Sequence, residues 1–166
     1  LDDLERLGLA RGLQREGNVE GFTRIIDVLL RSEEEDPGVA YPELPLFGAI
    51  VMIRAGDPKQ AADWLDRGLS EWPDRNKSYR RLKGRVLLSA SGAEVANEHY
   101  EELVNAYPED PELPFEIAED FAAHGASQWA ERWLEHARSV AERLSDRSIL
   151  VDIEVLANRL ADASRE

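Results

Sequence analysis

The sequence predicts an all-α protein, an α-solenoid of stacked helix pairs, on three observations. Small residues recur with a period in the mid-thirties: Ala96 and Ala130 stand 34 residues apart, and Ala61 stands 35 residues before Ala96. Each alanine brings companions in the same relative places, Leu65, Gly68 and Pro73 after Ala61, Tyr100, Leu103 and Pro108 after Ala96, and Leu134 and Ala137 after Ala130. Between them the apolar residues fall at helical spacing. A period of that length with small residues at fixed offsets marks helical hairpins that bury one another's faces. The 43% hydrophobic content supplies enough apolar surface for this, since each unit packs on its neighbours and no single large core is required.

The elements follow in order. Residues 1–15 carry Leu1, Leu4, Leu7, Leu9 and Leu13 at near-helical spacing and read as an amphipathic helix. Gly17 and Asn18 break it, with Asn18 placed to cap a second helix through Phe22, Ile25, Ile26, Leu29 and Leu30. The run Ser32 to Asp36, followed by Pro37 and Gly38, is expected to end that helix and open a loop longer than the period needs, a surplus that costs little closure entropy. Residues 42–54 are apolar almost all round, which implies a helix contacted on more than one side, and prolines in its first turn are tolerated there. Gly56, Asp57 and Pro58 spell a left-handed helix stop, an N-cap and a first helical position. The partner helix carries Ala61, Trp64, Leu65, Leu69 and Trp72 and stops at Pro73. Ser91 with Glu94 fits a capping box, and Asp110 before Pro111 repeats the Asp-Pro start. The last stretch, residues 148–164, has Ile149, Ile153, Leu156 and Leu160 on one face and Val151 and Val155 on another. It reads either as a helix capping the array or as the first helix of a unit cut short.

With a 34-residue unit, residues 111–144 place Ile117, Ala118, Phe121, Ala130, Leu134 and Ala137 in the required apolar and small positions, with Pro114 and Glu142 as departures. Residues 77–110 keep Gly84, Leu87, Ala96, Tyr100 and Pro108 but carry Arg80, Lys83 and Leu103 out of pattern. Residues 42–75 keep Ala49, Met52, Ala61, Leu65, Gly68 and Pro73, departing at Pro45 and Gly48. A degenerate unit over residues 2–35 has Gly8, Leu9, Gly12, Gly21, Ile25 and Val28 roughly in place. On these residues the chain resembles the tetratricopeptide repeat family. The resemblance implies one repeat domain over residues 1–166, a right-handed superhelix of about four antiparallel helix pairs plus a C-terminal capping helix near residues 147–164.

A net charge of −14 repels nucleic acid and anionic lipid and leaves a basic partner allowed. The arginine-rich, lysine-poor charge set is read either as the signature of a GC-rich genome or a high-salt habitat, or as part of an acidic surface selected by a partner. No window approaches a membrane span, so a soluble protein of a bacterial cytoplasm or periplasm is expected, with no membrane insertion. The absence of cysteine excludes disulfides and thiolate chemistry. The first residue is Leu1, from which a fragment or processed product is expected.

The chain offers little for catalysis. His99, His124 and His136 form no zinc-type pair, no glycine-rich phosphate loop is present, and the acids Glu33, Glu34, Glu35 and Asp36 are consecutive, read as a solvated loop run. No enzyme activity, metal or cofactor is expected. The family resemblance implies instead a groove lined by the first helix of each pair. Carried over, its positions are Glu43, Leu46, Ile50, Ile53 and Arg54, then Ser78, Arg81, Arg85, Leu88 and Ser89, then Glu112, Phe115, Glu119, Ala122 and Ala123. Between Asp74 and Glu94 no acid occurs, while Arg75, Lys77, Arg80, Arg81, Lys83 and Arg85 crowd together. Arg81 and Arg85, one helical turn apart, are read either as a fork for a carboxylate-bearing ligand or as partners of Glu116 and Glu119. The function implied is a non-catalytic scaffold holding a peptide or helix of a partner protein in this groove. The alternatives are a self-assembling or spacer segment, giving a homo-oligomer through its terminal helices, and an accessory domain of a larger protein.

Overall fold

The computed structural model describes residues 2–35 and 43–165, which form helices and turns with no strand among them. The helices are α1 (Asp3–Arg15), α2 (Val19–Glu35), α3 (Glu43–Arg54), α4 (Pro58–Glu71), α5 (Asn76–Ala90), α6 (Ala93–Ala106), α7 (Glu112–Ala123), α8 (Ser127–Leu144) and α9 (Arg147–Ala163), with a short 3-10 turn over Pro73–Arg75 before α5. Contacts divide the chain into two compact units, Leu1–Val86 and Leu87–Glu166, with the division inside α5.

The hairpin turns follow from local chemistry. Asn18 accepts from the Gly21 amide at 2.9 Å, and Asp57 accepts from the Gln60 amide at 3.1 Å with Pro58 behind it, so both N-caps form as the residue types dictate. Asp110 takes the amides of Glu112 and Leu113 at 3.1 and 3.3 Å, and Asp146 does the same for Ser148 and Ile149. Gly56 at φ 78° and Gly125 at φ 76° stop α3 and α7 in the left-handed region that glycine enters without strain. Two expectations fail. Ser91 does not cap α6: Gly92 stands at the N-cap with φ 94° and no side-chain hydrogen bond, because the backbone there needs a conformation open to glycine. The acids Glu33, Glu34 and Glu35 are not loop residues but the last turn of α2, whose Ser32 hydroxyl donates to Asp3 on α1 at 2.9 Å. The loop expected over Asp36, Pro37 and Gly38 lies outside the described residues.

In the first unit α3 is the shared element. Leu44, Phe47 and Val51 bury themselves with Leu7, Phe22, Ile26 and Leu29 of the first hairpin, where the Phe22 and Phe47 rings meet edge to face at 5.3 Å. Ala49 belongs to a second cluster with Ala61, Leu65, Tyr79, Leu82 and Val86. A helix buried by two clusters has to be apolar on more than one side, which is why α3 lacks a polar face. Arg11 and Glu43 pair between α1 and α3.

Tyr79 is fully buried, and burial is the main force holding its hydroxyl proton, with ionisation pushed up to about 12 from 10.0. Arg75 opposes that shift, and the charges of Glu43, Glu71 and Asp74 add to it. The folded-state value lies above the unfolded one, so the contribution is complete below about pH 10 and is lost as pH rises toward 12, for a total on the order of 2–3 kcal/mol. Urea unfolding at about pH 9 and about pH 11 checks it: the wild type loses more stability over that interval than Tyr79→Phe, and equal losses in the two proteins contradict it.

The second unit has one core. Tyr100 and Leu103 of α6, Ile117 and Phe121 of α7, Ala130 and Leu134 of α8 and Ile153 of α9 all converge on it, joined by Leu88 from the last turn of α5. Ala118, Ala130 and Ala137 are completely buried at the period positions, where any larger side chain would push adjacent helices apart. Tyr100 reaches the core edge, its hydroxyl donating to Asp120 at 2.9 Å. On α9 the face of Ile149, Ile153, Leu156 and Leu160 is buried, while Val151 and Val155 are more than half exposed.

Candidate functional site

The residues expected to line a groove lie on α3, α5 and α7, the first helices of successive hairpins, and each unit presents its own set. On α3 of the first unit, Leu46, Ile50 and Ile53 are half-buried against the second cluster and offer their outer edges, while Arg54 is exposed with its guanidinium over the Phe22 ring at 5.7 Å. On α5, Arg81 is half-buried and Arg85 exposed, and Lys83 between them pairs with Asp66 of α4 at 2.9 Å. Within the basic run of α5, Lys83 is thus engaged with the second helix of the preceding hairpin.

In the second unit Leu88 is only 3% exposed and serves the core. Phe115 is half-buried against the same core, and Glu119 is exposed. Glu119, Ala122 and Ala123 form one wall of a cleft of about 330 Å³ whose other wall is Leu156, Arg159 and Leu160 of α9. Two alanines on α7 leave the room, and α9 supplies both an apolar surface and a cation facing the same space. Arg159 was not among the residues nominated from sequence. Its signal was available in the period, since Leu156 follows Ala122 by one unit of 34, so the α7 register carried forward leads into α9.

No group of three or more His, Cys, Asp or Glu side chains is placed to hold a metal among the described residues. His124 caps the C-terminus of α7, His136 on α8 is exposed with its ring 5.6 Å from Trp133, and His99 on α6 lies 6.1 Å from Tyr100. No described helix is long and apolar enough to cross a membrane. The cleft between α7 and α9 pairs an apolar wall with charges of both signs.

No family model matches the sequence, and no curated protein matches it. Solved structures match in fold. YrrB, a TPR protein described as having an unusual peptide-binding site, superposes with a TM-score of 0.56 at 15% identity, over 90% of this chain and 72% of its own. MamA of MSR-1 gives 0.56 at 14% identity over 98% of each chain. MamA from Desulfovibrio magneticus RS-1, from residue 41 to its end, gives 0.55 at 17% identity over 99% of this chain and 97% of its own. The chain therefore has the tetratricopeptide repeat fold, the all-α solenoid of helical hairpins.

Proposed function

We propose that the chain is a non-catalytic protein-interaction scaffold, one repeat domain that holds a peptide or helix of a partner protein against the first helices of its hairpins. The observation that carries this reading is the cleft between α7 and α9, where Glu119, a pair of alanines, Leu156 and Arg159 combine room, apolar wall and one charge of each sign. On α5, Arg81 and Arg85 add a surface suited to carboxylates, since a guanidinium fork matches that group with two parallel hydrogen bonds. The solved TPR structure with a peptide-binding site supports the same reading by likeness of fold.

Peptides selected from a random display library on the wild-type chain provide the test. Peptides bound at the α7 and α9 cleft lose affinity about tenfold or more when Glu119→Arg or Arg159→Glu reverses a wall charge. Those carrying an acidic side chain or a free C-terminus lose about 2–5 kcal/mol in the double variant Arg81→Ala, Arg85→Ala, the penalty of truncating one side of a desolvated charged pair. Thermal midpoints stay within a few degrees of wild type. If every selected peptide binds all three variants as tightly as the wild type, the first-helix surface is not the binding face.

A further inference from the structure

A second cleft, of about 300 Å³, lies in the second unit between α6 and α8, the second helices of their hairpins, and shares no residue with the first. Its apolar surface is made by Val104 and Trp133, each 6% exposed, and by the half-buried Trp129. Glu101 and Asn105 stand on the α6 side, Arg132 and His136 on the α8 side.

This cleft is built by hydrogen bonds rather than left over by packing. Asn97, buried beneath it, accepts from the Trp133 indole N–H at 2.9 Å and donates through Nδ2 to Glu101 Oε1 at 2.8 Å. An indole needs an acceptor and a carboxylate needs a donor, so one amide satisfies both in a single orientation. The effect is to fix a carboxylate at the edge of an indole floor. Trp129 has one face stacked on Phe121, with centroids 5.9 Å apart and planes 20° from parallel, and the Arg132 guanidinium lies 5.0 Å from its ring centroid. The ring thus already holds a planar cation of the chain's own.

We propose that this cleft receives an arginine side chain of a partner protein. Its stem would lie on the Trp129 and Trp133 surface and its guanidinium would meet Glu101, combining cation–π attraction with a charge-assisted fork. Charge complementarity selects the cation: α6 carries Glu94, Glu98, Glu101 and Glu102 without a lysine or arginine, in a chain of net charge −14. An anion drawn by Arg132 would have to approach that row of glutamates. Arg132 is then a competitor of the ligand, occupying the ring surface and repelling the incoming charge.

The test uses the full chain with its four tryptophan indoles labelled for NMR and three capped tripeptides, acetyl-Ala-Arg-Ala-amide and its Glu and Leu counterparts. The Arg peptide shifts the Trp129 and Trp133 indoles saturably and leaves Trp64 and Trp72 in place. Glu101→Gln, which keeps an acceptor oxygen for Asn97, weakens it by about tenfold, and Arg132→Ala strengthens it. Tighter binding of the Glu peptide, weaker binding of the Arg peptide to Arg132→Ala, shifts spread equally over all four indoles, or no saturable shift with any probe overturns the proposal. None of these outcomes bears on the cleft between α7 and α9, whose variants leave this one intact.

Discussion

Replacing Phe121 by Ala lowers the free energy of unfolding by about 3–5 kcal/mol, the cost of deleting a large buried ring and leaving a cavity that the surrounding helices fill only in part. Phe121 is completely buried, and its ring meets aromatic rings of both α6 and α8. Tyr100 of α6 lies against it edge to face at 5.7 Å, and Trp129 of α8 is stacked on it at 5.9 Å. Aromatic pairs add about 0.5–1.5 kcal/mol beyond the area they bury, so the loss belongs at the upper end of the range. Domains commonly hold only about 5–15 kcal/mol in total, and the variant should unfold at a much lower urea concentration. Equilibrium unfolding followed by far-ultraviolet circular dichroism measures it, and a loss below about 1 kcal/mol would show that the second unit does not depend on this ring.

Gly68→Ala is destabilising by about 2 kcal/mol or more, although alanine is the better helix former by about 1 kcal/mol. A methyl group at Gly68 would sit 2.3 Å from Tyr79 Cε1 and 2.6 Å from Cζ, well inside contact distance. The obstacle is a fully buried ring, wedged among Leu65, Leu82 and Val86, so it has no free rotamer to swing into. Relief has to come from separating α4 and α5. The cause is checked by a double-mutant cycle: with Tyr79→Ala already present, adding the methyl at position 68 should cost much less than it does in the wild type. Equal costs in the two backgrounds would place the strain elsewhere.

Both predictions concern positions that the period marks, and that is where the sequence was most legible. Ala61, Gly68, Ala96, Ala130 and Ala137 are small because helices approach closely, and their spacing can be read without a structure. The turn residues Asn18, Gly56, Asp57 and Asp110 were equally legible, since each satisfies a backbone group of its own neighbourhood. Ser91 misled because its spacing to Glu94 fits a cap while the adjacent Gly92 offers a backbone conformation that outranks it. The acids at the end of α2 misled for a different reason. Negative charge opposes the dipole at a helix C-terminus, yet glutamate is a good helix former and the backbone continues through it.

The candidate sites were legible only by halves. Glu119, Ala122 and Ala123 were placed by the register of one helix, but Arg159 belongs to α9 and becomes a neighbour only through packing. Leu88 shows the converse, a residue nominated by register that the core claims. The cleft between α6 and α8 was not seen at all, because Trp129, Trp133 and Asn97 look individually like ordinary residues of amphipathic helices. Their meaning lies in a hydrogen bond spanning 36 positions of chain.

That bond also governs how the structure is spaced. Asn97 is a buried amide, and it ties α6 to α8. Apolar surfaces built from Ala, Val and Leu are nearly as content after one helix slides along another by a turn, about 5.4 Å. An amide and an indole are not, since the slip would part the Asn97 oxygen from the Trp133 N–H and lose a hydrogen bond worth about 0.5–1.5 kcal/mol. Asn97 therefore acts as an index pin: the alanines set how close successive hairpins come, and this one polar contact sets where along their length they stop.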